Sequence, residues 1–456
     1  MSNGRSSSRR VTLPDEFPPR PTSMLRNELL RMNSKMEKKE TYSLVLLCCA
    51  YFLYGSSLGL YGPLYPEQAK IHGVATYVYG PAMAVQYLTA LLFYPLACRM
   101  VPSINCSLAV SIGLFITGVC KVLFGTLSLV ADDLPFILLS YGIQIMEGIG
   151  FGILLASTCI IIFSQITEKT RRNRGIIRSL FILGISISPI CGEAIYKAFN
   201  FSVPFYGIGI LLCLSALLFI FMLPEPDQRL SIQEIPLVSW AKRPRMLIYF
   251  LVIFSTFNYI SFLTVTLEPY LRQFHLSKLF LGVLFSIPAF SCGLTAPGWT
   301  WVSKKGINSV LLICISSFLI FASLLLIGPP PFIRLDLTLA NVSSALLLCG
   351  VGTGGKLACV VYTADRDLRS RQSLNGPQEA LIIPTIFGFG ALLGCFTGSF
   401  IAGFAYFYLG MGEAIYVLFG LEVVTVAVSF VFAFTRNYRS PRNLASSDER
   451  LPILES

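Results

Sequence analysis

Gly148-Ile149-Gly150-Phe151-Gly152 returns 202 positions later as Gly350-Val351-Gly352-Thr353-Gly354, and each copy is followed by a Leu-Ala pair (Leu155-Ala156, Leu357-Ala358). Both copies lie inside long apolar stretches. A second echo, at an offset of 210, matches Gly184, Tyr196 and Tyr206 with Gly394, Tyr406 and Tyr416. Offsets this steady describe one half written twice. Neither copy is a phosphate cradle. Gly148 to Gly152 has no following Walker lysine and sits in a hydrophobic helical pattern, not after a strand.

The chain around the repeat has 456 residues, 54% of them apolar and 13% charged. A soluble domain carries about 25% charged residues. An apolar run of about 20 residues crosses a bilayer as a helix. Twelve such runs are centred near residues 52, 86, 117, 146, 187, 213, 257, 289, 318, 350, 391 and 424. A repeated helical bundle in a membrane implies a transporter with its substrate site between the halves. Ser-His-Asp sets, metal-ligand clusters and nucleotide loops are all missing from the sequence, so neither an enzyme nor a resident cofactor or metal is expected.

Lysine and arginine set the expected orientation. Both tails and the loops near 100, 170, 235, 304 and 370 hold 28 of the 35 basic residues. The opposite loops hold five: Lys70, Lys197, Arg272, Lys278 and Arg334. Both termini are therefore expected in the cytosol, and the net charge of +11 needs no nucleic-acid partner. The first 40 residues are polar and basic, which predicts a mostly disordered tail (1–40) with no cleavable leader. A six-helix bundle over 41–223, a cytosolic linker over 224–245, a second bundle over 246–435 and a cytosolic tail over 436–456 complete the expected plan. The 13 cysteines fall mostly in spans and read as small packing residues, not as a disulfide framework.

Two local patterns resemble a known family. Gly298-Trp299-Thr300-Trp301-Val302-Ser303-Lys304-Lys305-Gly306 is similar to the Gly-x4-Asp-basic-x-Gly loop of the major facilitator superfamily, with Ser303 in place of the Asp. Gly184 to Glu193 is similar to that superfamily's antiporter signature. Gly184, Pro189 and Gly192 match it; Ser188 and Glu193 do not. Further segments resemble the vesicular amine transporter family, in its polyamine-transporter-like branch: Gly62-Pro63-Leu64-Tyr65-Pro66-Glu67-Gln68-Ala69, Glu147, Phe201 to Phe205, Thr266-Leu267-Glu268-Pro269 and Ile327 to Pro330. The resemblance implies an all-α fold of twelve transmembrane helices in two pseudo-symmetric bundles. It also implies spans one, four, seven and ten around a central cavity, and proton-coupled export of an organic cation from the cytosol into an acidic organelle.

An ionisable group within a span is a functional candidate by default. Glu147 lies midway along span four. A single carboxylate there can bind an amine when ionised and release it when protonated. Lys356, in span ten, aligns with Leu154 in the repeat, roughly 10 Å from the level of Glu147. A Glu147–Lys356 pair remade during the cycle is one expectation; a lysine that attracts an organic anion is another. Glu67 and Glu268, at the lumenal ends of spans one and seven, could form an acidic vestibule. Gln144, Asn258 and Tyr79 could orient a ligand. Lys121, Glu193 and Glu422 belong to helices that the resemblance places at the rim of the cavity or away from it. His72 and His275 read as exposed loop residues.

Gly148, Gly150, Gly152, Gly350, Gly352 and Gly354 are expected to let helices approach and slide. Pro189 with Gly184 and Gly192 should bend span five, and Gly298, Lys304 and Gly306 form the loop after span eight. Glu449 to Leu454 resembles an acidic dileucine signal for a sorting adaptor, pointing to an endomembrane or vesicle. Three functions follow: proton-coupled exchange of an amine or polyamine, facilitated movement of an organic anion or neutral solute, and a transport-inactive receptor or scaffold.

Overall fold

The computed structural model describes residues 41–42, 44–101, 104, 106–164, 171–222, 243–305, 307–329, 338–369 and 382–438. Helix is the only regular structure among them. The N-terminal half contains α1 (Leu44–Ile71), α2 (Thr76–Met100), α3 (Cys106–Gly125), α4 (Asp133–Ser164), α5 (Arg171–Ala198) and α6 (Ser202–Met222). The second half begins with α7 (Pro244–Leu271), α8 (Lys278–Lys304), α9 (Ser309–Ile327) and α10 (Leu339–Arg369). It closes with a continuous helical stretch, Ile382–Tyr438.

That last stretch has 57 residues, and Gly410 inside it is non-helical, with φ 73° and ψ 177°. At 1.5 Å per residue it would be roughly 85 Å long, far beyond a hydrocarbon core of about 30 Å. The positive φ, which glycine adopts without a Cβ clash, divides it into α11 (382–409) and α12 (411–438). Eleven described helices are long and apolar enough to span a membrane, and this one is long enough to do so twice. The twelve spans read from the sequence are thereby accounted for.

Local chemistry sets the boundaries. Gly73, at φ 63°, follows α1; its N–H bonds the Lys70 carbonyl while the Val74 N–H bonds Ala69. Together these make the Schellman stop. Pro244 opens α7, just ahead of the expected boundary at 246, where its missing N–H costs nothing. The Ser277 and Asn308 side chains cap α8 and α9 by accepting from the Phe280 and Val310 amides. The 1–40 tail, Gly306, most of the linker and the Glu449 to Leu454 signal lie outside the described residues.

The glycine repeat explains how each half is wedged together. A Cβ at Gly148 would meet the Gln86 carbonyl of α2 at 2.4 Å, and one at Gly150 would meet Ile116 of α3 at 2.9 Å. In the second copy, a Cβ at Gly350 would meet the Pro288 carbonyl of α8 at 2.2 Å, and one at Gly352 would meet Ile320 of α9 at 2.7 Å. Gly152 and Gly354 continue toward α2 and α8. Alternate glycines therefore seat α4 between α2 and α3, and α10 between α8 and α9. Gly184 against Phe52 of α1 and Gly394 against Phe254 of α7 repeat the symmetry.

These contacts are internal to each half and are close helix approaches of the kind expected of the glycine clusters. The halves meet elsewhere: α2 on α11, α5 on α8 and α1 on α7. A Cβ at Gly80 would lie 2.6 Å from the Gly403 Cα, and one at Gly282 would lie 2.7 Å from the Pro189 carbonyl. Gly298 is exposed and has open space around it, and Lys304 is exposed at the end of α8. Gly148→Val should destabilise the fold by about 1–3 kcal/mol through overpacking against α2, read as a lower thermal unfolding midpoint in detergent; Gly298→Ala should leave the midpoint unchanged.

Candidate functional site

Four helices of the first half converge on Glu147. The Tyr61 hydroxyl (α1) donates to Oε2, the Gln86 amide (α2) donates to Oε1 at 3.0 Å, and Lys121 Nζ (α3) lies 2.7 Å from Oε1. The Lys121 ammonium also sits 3.5 Å from the centroid of the Tyr61 ring. Glu147 and Lys121 are fully buried. A buried ion pair survives desolvation only when its remaining valences are filled. Here a phenol, an amide and an aromatic face fill them.

The second half contains a counterpart. Lys356 (α10) is paired with Glu422 (α12) and donates to Ser255 Oγ (α7) at 3.4 Å. Both ends are buried. The expected Glu147–Lys356 pair is therefore not formed. Each charge takes a partner from its own half, because a neighbouring helix offers one at contact distance. Lys121 and Glu422, which the sequence reading placed away from the cavity, are those partners. Their signal was present: each half carries one lysine deep within its spans, and in hydrocarbon each requires a carboxylate nearby.

Gln144 is one turn before Glu147, fully buried, and neither its amide oxygen nor its nitrogen has a hydrogen-bond partner among the described residues. The buried Tyr54 hydroxyl on α1 is likewise unpartnered, while its ring stacks on Phe151 at 5.0 Å. Asn258 is satisfied by Thr397 Oγ1 of α11 at 2.7 Å. Tyr79 reaches from α2 toward the Val265 carbonyl of α7 at 3.5 Å. Of the predicted ligand-orienting groups, Gln144 is the one whose buried polar atoms both lack a partner among the described residues.

At the membrane face opposite the helix ends at Leu44 and Tyr438, the halves are locked by charge. Lys278 (α8) pairs with Glu67 (α1) at 3.0 Å and lies 3.4 Å over the Tyr196 ring (α5). Arg272, just past α7, grips Glu268 with two bonds of 2.8 and 2.6 Å and donates to the Pro66 carbonyl of α1 at 3.0 Å. Glu67 and Glu268 do share one end of the bundle. They do not form an open acidic vestibule, since each already holds a cation. Behind this lock lies Glu193 (α5), fully buried, with neither carboxyl oxygen hydrogen-bonded. His72 also departs from expectation: its side chain is buried, stacked on Phe136 at 4.2 Å, with Asp133 3.6 Å away. His275 follows α7 in a left-handed turn, with φ 49°.

Ser303, where the loop motif has an Asp, is buried; its hydroxyl bonds the Trp299 carbonyl and lies 3.4 Å from Cys359 of α10. Asp367 is a buried group at the end of α10, accepting from Tyr249 at 2.8 Å with Arg245 3.5 Å away. Among the described residues no group of His, Cys, Asp and Glu has the arrangement of a metal site.

A sequence profile of the Major Facilitator Superfamily matches residues 47–376, more than half of the chain. The chain belongs to this superfamily. It is a multi-pass membrane transporter by family and fold, and not an enzyme. The chain is 23% identical over 427 residues to the human MFS-type transporter SLC18B1 (Homo sapiens), covering 90% of this chain and 91% of that one. The mouse protein of the same name (Mus musculus) is 22% identical over 406 residues, covering 86% and 87%. These relatives lie in the branch that the sequence resembles.

Solved structures share the fold. The human organic anion transporter MFSD10 superposes with a TM-score of 0.61 at 18% identity, covering 86% of this chain and 99% of that one. A mutant of the nucleoside transporter NupG gives 0.63 at 14% identity, with 87% and 99% covered.

Lys121→Met alone should cost about 3–5 kcal/mol by leaving Glu147 buried and unpaired. Adding Glu147→Gln should recover most of that loss. Lys356→Met should be rescued by Glu422→Gln and not by Glu147→Gln, as read from a double-mutant cycle of thermal stabilities.

Proposed function

We propose that the protein is a secondary active transporter that works by alternating access and exchanges protons for an organic cation, an amine or polyamine, across an acidified endomembrane. The observation that supports this most is Glu147. It is a buried carboxylate midway along α4, and next to it Gln144 and Tyr54 have polar atoms with unused bonding capacity. An ammonium group entering there would find a carboxylate oxygen, an amide oxygen and a phenol oxygen, all able to accept its hydrogen bonds.

Exchange follows from one carboxylate serving two cations in turn. Ionised, Glu147 holds the ammonium. Protonated, it accepts no positive charge and the ligand leaves. Lys121 stays beside it in both states, so an entering amine shares the carboxylate with a fixed cation. That competition limits affinity and makes release possible. The gradient, and not a bound cofactor, supplies the free energy. Both termini on the cytosolic side, by the excess of Lys and Arg there, would load the amine from the cytosol. The Glu449 to Leu454 segment would direct the protein to vesicles through a sorting adaptor.

Lys356, the residue that would attract an anion, is paired with Glu422 just as Glu147 is with Lys121, so pairing does not separate the two readings; the unused polar atoms of Gln144 and Tyr54 beside Glu147 favour the cation. Solutes taken by MFSD10 or NupG belong to those proteins, whose likeness here is one of fold.

Uptake of labelled spermidine into proteoliposomes with an acid interior is the test. Wild type should accumulate it against its gradient, Glu147→Gln should reduce uptake to the protein-free level, and Lys356→Met should not alter the preference for cations. A folded wild type that moves labelled anions and no amine would favour the facilitator. One that moves neither would favour the transport-inactive receptor or scaffold.

A further inference from the structure

The lock at the face opposite the helix ends at Leu44 and Tyr438 contains one carboxyl too many. Glu67 has Lys278, and Glu268 has Arg272. Glu193 has no such partner. Its side chain is fully buried, and both of its oxygens are without a hydrogen bond among the described residues. The charged groups near it are Glu67 on α1, Glu268 at the end of α7 and Lys278 on α8, with Tyr196 one turn along its own helix; Arg272 and Lys70 are neighbours of Glu268. Glu67, Glu268 and Lys278 act on it directly.

The backbone beside Glu193 is closely packed. A Cβ on the adjacent Gly192 would lie 2.4 Å from Leu60 of α1, and Gly282 of α8 presses on the Pro189 carbonyl one turn away. An isolated buried carboxylate is costly, whereas the neutral acid costs far less. Lys278 and Arg272 are engaged by other carboxylates, and Lys70 is exposed at the end of α1. Glu193 also stands where the antiporter-like signature departs from its pattern, so family resemblance alone did not assign it a role.

We propose that Glu193 is a proton-binding carboxyl of this transporter, separate from Glu147, and that closing the α1–α8 and α1–α7 lock traps the proton on it. In the open state, water reaches the site and the carboxylate is solvated. On closure, the carboxylate takes one proton from the solution on that face, forming an O–H bond with no other bond broken. The Lys278–Glu67 pair and the bond from Arg272 to the Pro66 carbonyl then form beside a neutral group. Closure and proton uptake are thereby linked, and lowering the pH on that face favours the closed lock. The coupling to transport rests on the exchange reading above; the proton site itself does not.

Two measurements test this. Infrared difference spectra of the purified protein in lipid, recorded between neutral and acid pH, should contain a protonated-carboxyl C=O band. The band should be lost in Glu193→Gln and in the apolar variant Glu193→Leu, and kept in Glu147→Gln. In proteoliposomes, Glu193→Gln should retain counter-flow of labelled spermidine, while its uptake in an acid-interior gradient should fall to the level seen without a gradient.

A band unchanged in both Glu193 variants overturns the proposal, as does gradient-driven uptake that survives Glu193→Gln undiminished. A band that behaves as expected in a wild type that moves no amine upholds the proton site and overturns the exchange reading instead.

Discussion

A charge in the dry interior of a helical bundle needs its counter-charge within a few ångström, and the architecture of this protein follows from how that need is met. Lys121 finds Glu147, and Lys356 finds Glu422, each on another helix of its own half. With these charges settled internally, neither half depends on the other for its deepest polar contacts. The surface between the halves is made of close glycine contacts such as Gly80 against Gly403, aromatic pairs such as Tyr94 with Phe389, and a rim of ion pairs that water can dissolve. Two bodies of this kind can part and rejoin without exposing an unpaired buried lysine.

The repeat that reveals the fold also packs each half. Gly148, Gly150 and Gly152 point alternately at two neighbouring helices, and Gly350, Gly352 and Gly354 do the same one half later. Their absent side chains let α4 and α10 sit deep among their neighbours. That depth carries Glu147 and Lys356 into contact with partners on α3 and α12. Packing and electrostatics are thus one arrangement: fill the glycine notches, and the ion pairs lose their geometry.

Much of this was legible in the sequence. Apolar runs, charge asymmetry and the repeat gave twelve spans in two related sets, including a division of the last 57-residue helix that a glycine at positive φ accomplishes. Glu147, Gln144, Glu67 and Glu268 were legible too, as polar groups in apolar surroundings. What was not legible is who meets whom. Helical periodicity reports which face of a helix is apolar, not its rotation against a neighbour, so Glu147 was matched with Lys356 across the halves instead of with Lys121 within one.

Glu193 is set aside in the sequence because the resemblance places its helix at the rim of the cavity or away from it. Its meaning depends on Lys278 and Arg272 already being occupied, which only the three-dimensional arrangement shows. His72 was misread for a similar reason. A loop position in sequence becomes a buried ring once Phe136 folds over it.

Spin-label distance measurement on the protein in lipid bears most directly on the claim of two internally neutralised bodies joined by a dissolvable rim. The exposed cysteines Cys49 and Cys191 would be replaced, and labels placed at the exposed positions Phe199 and Tyr408, one in each half, with Phe199 and Leu129 as the pair within one half. The account predicts two distance populations between the halves, whose ratio changes with pH, and one unchanged population within the half. A single fixed distance for both pairs, or a within-half distance that changes with pH, would contradict it.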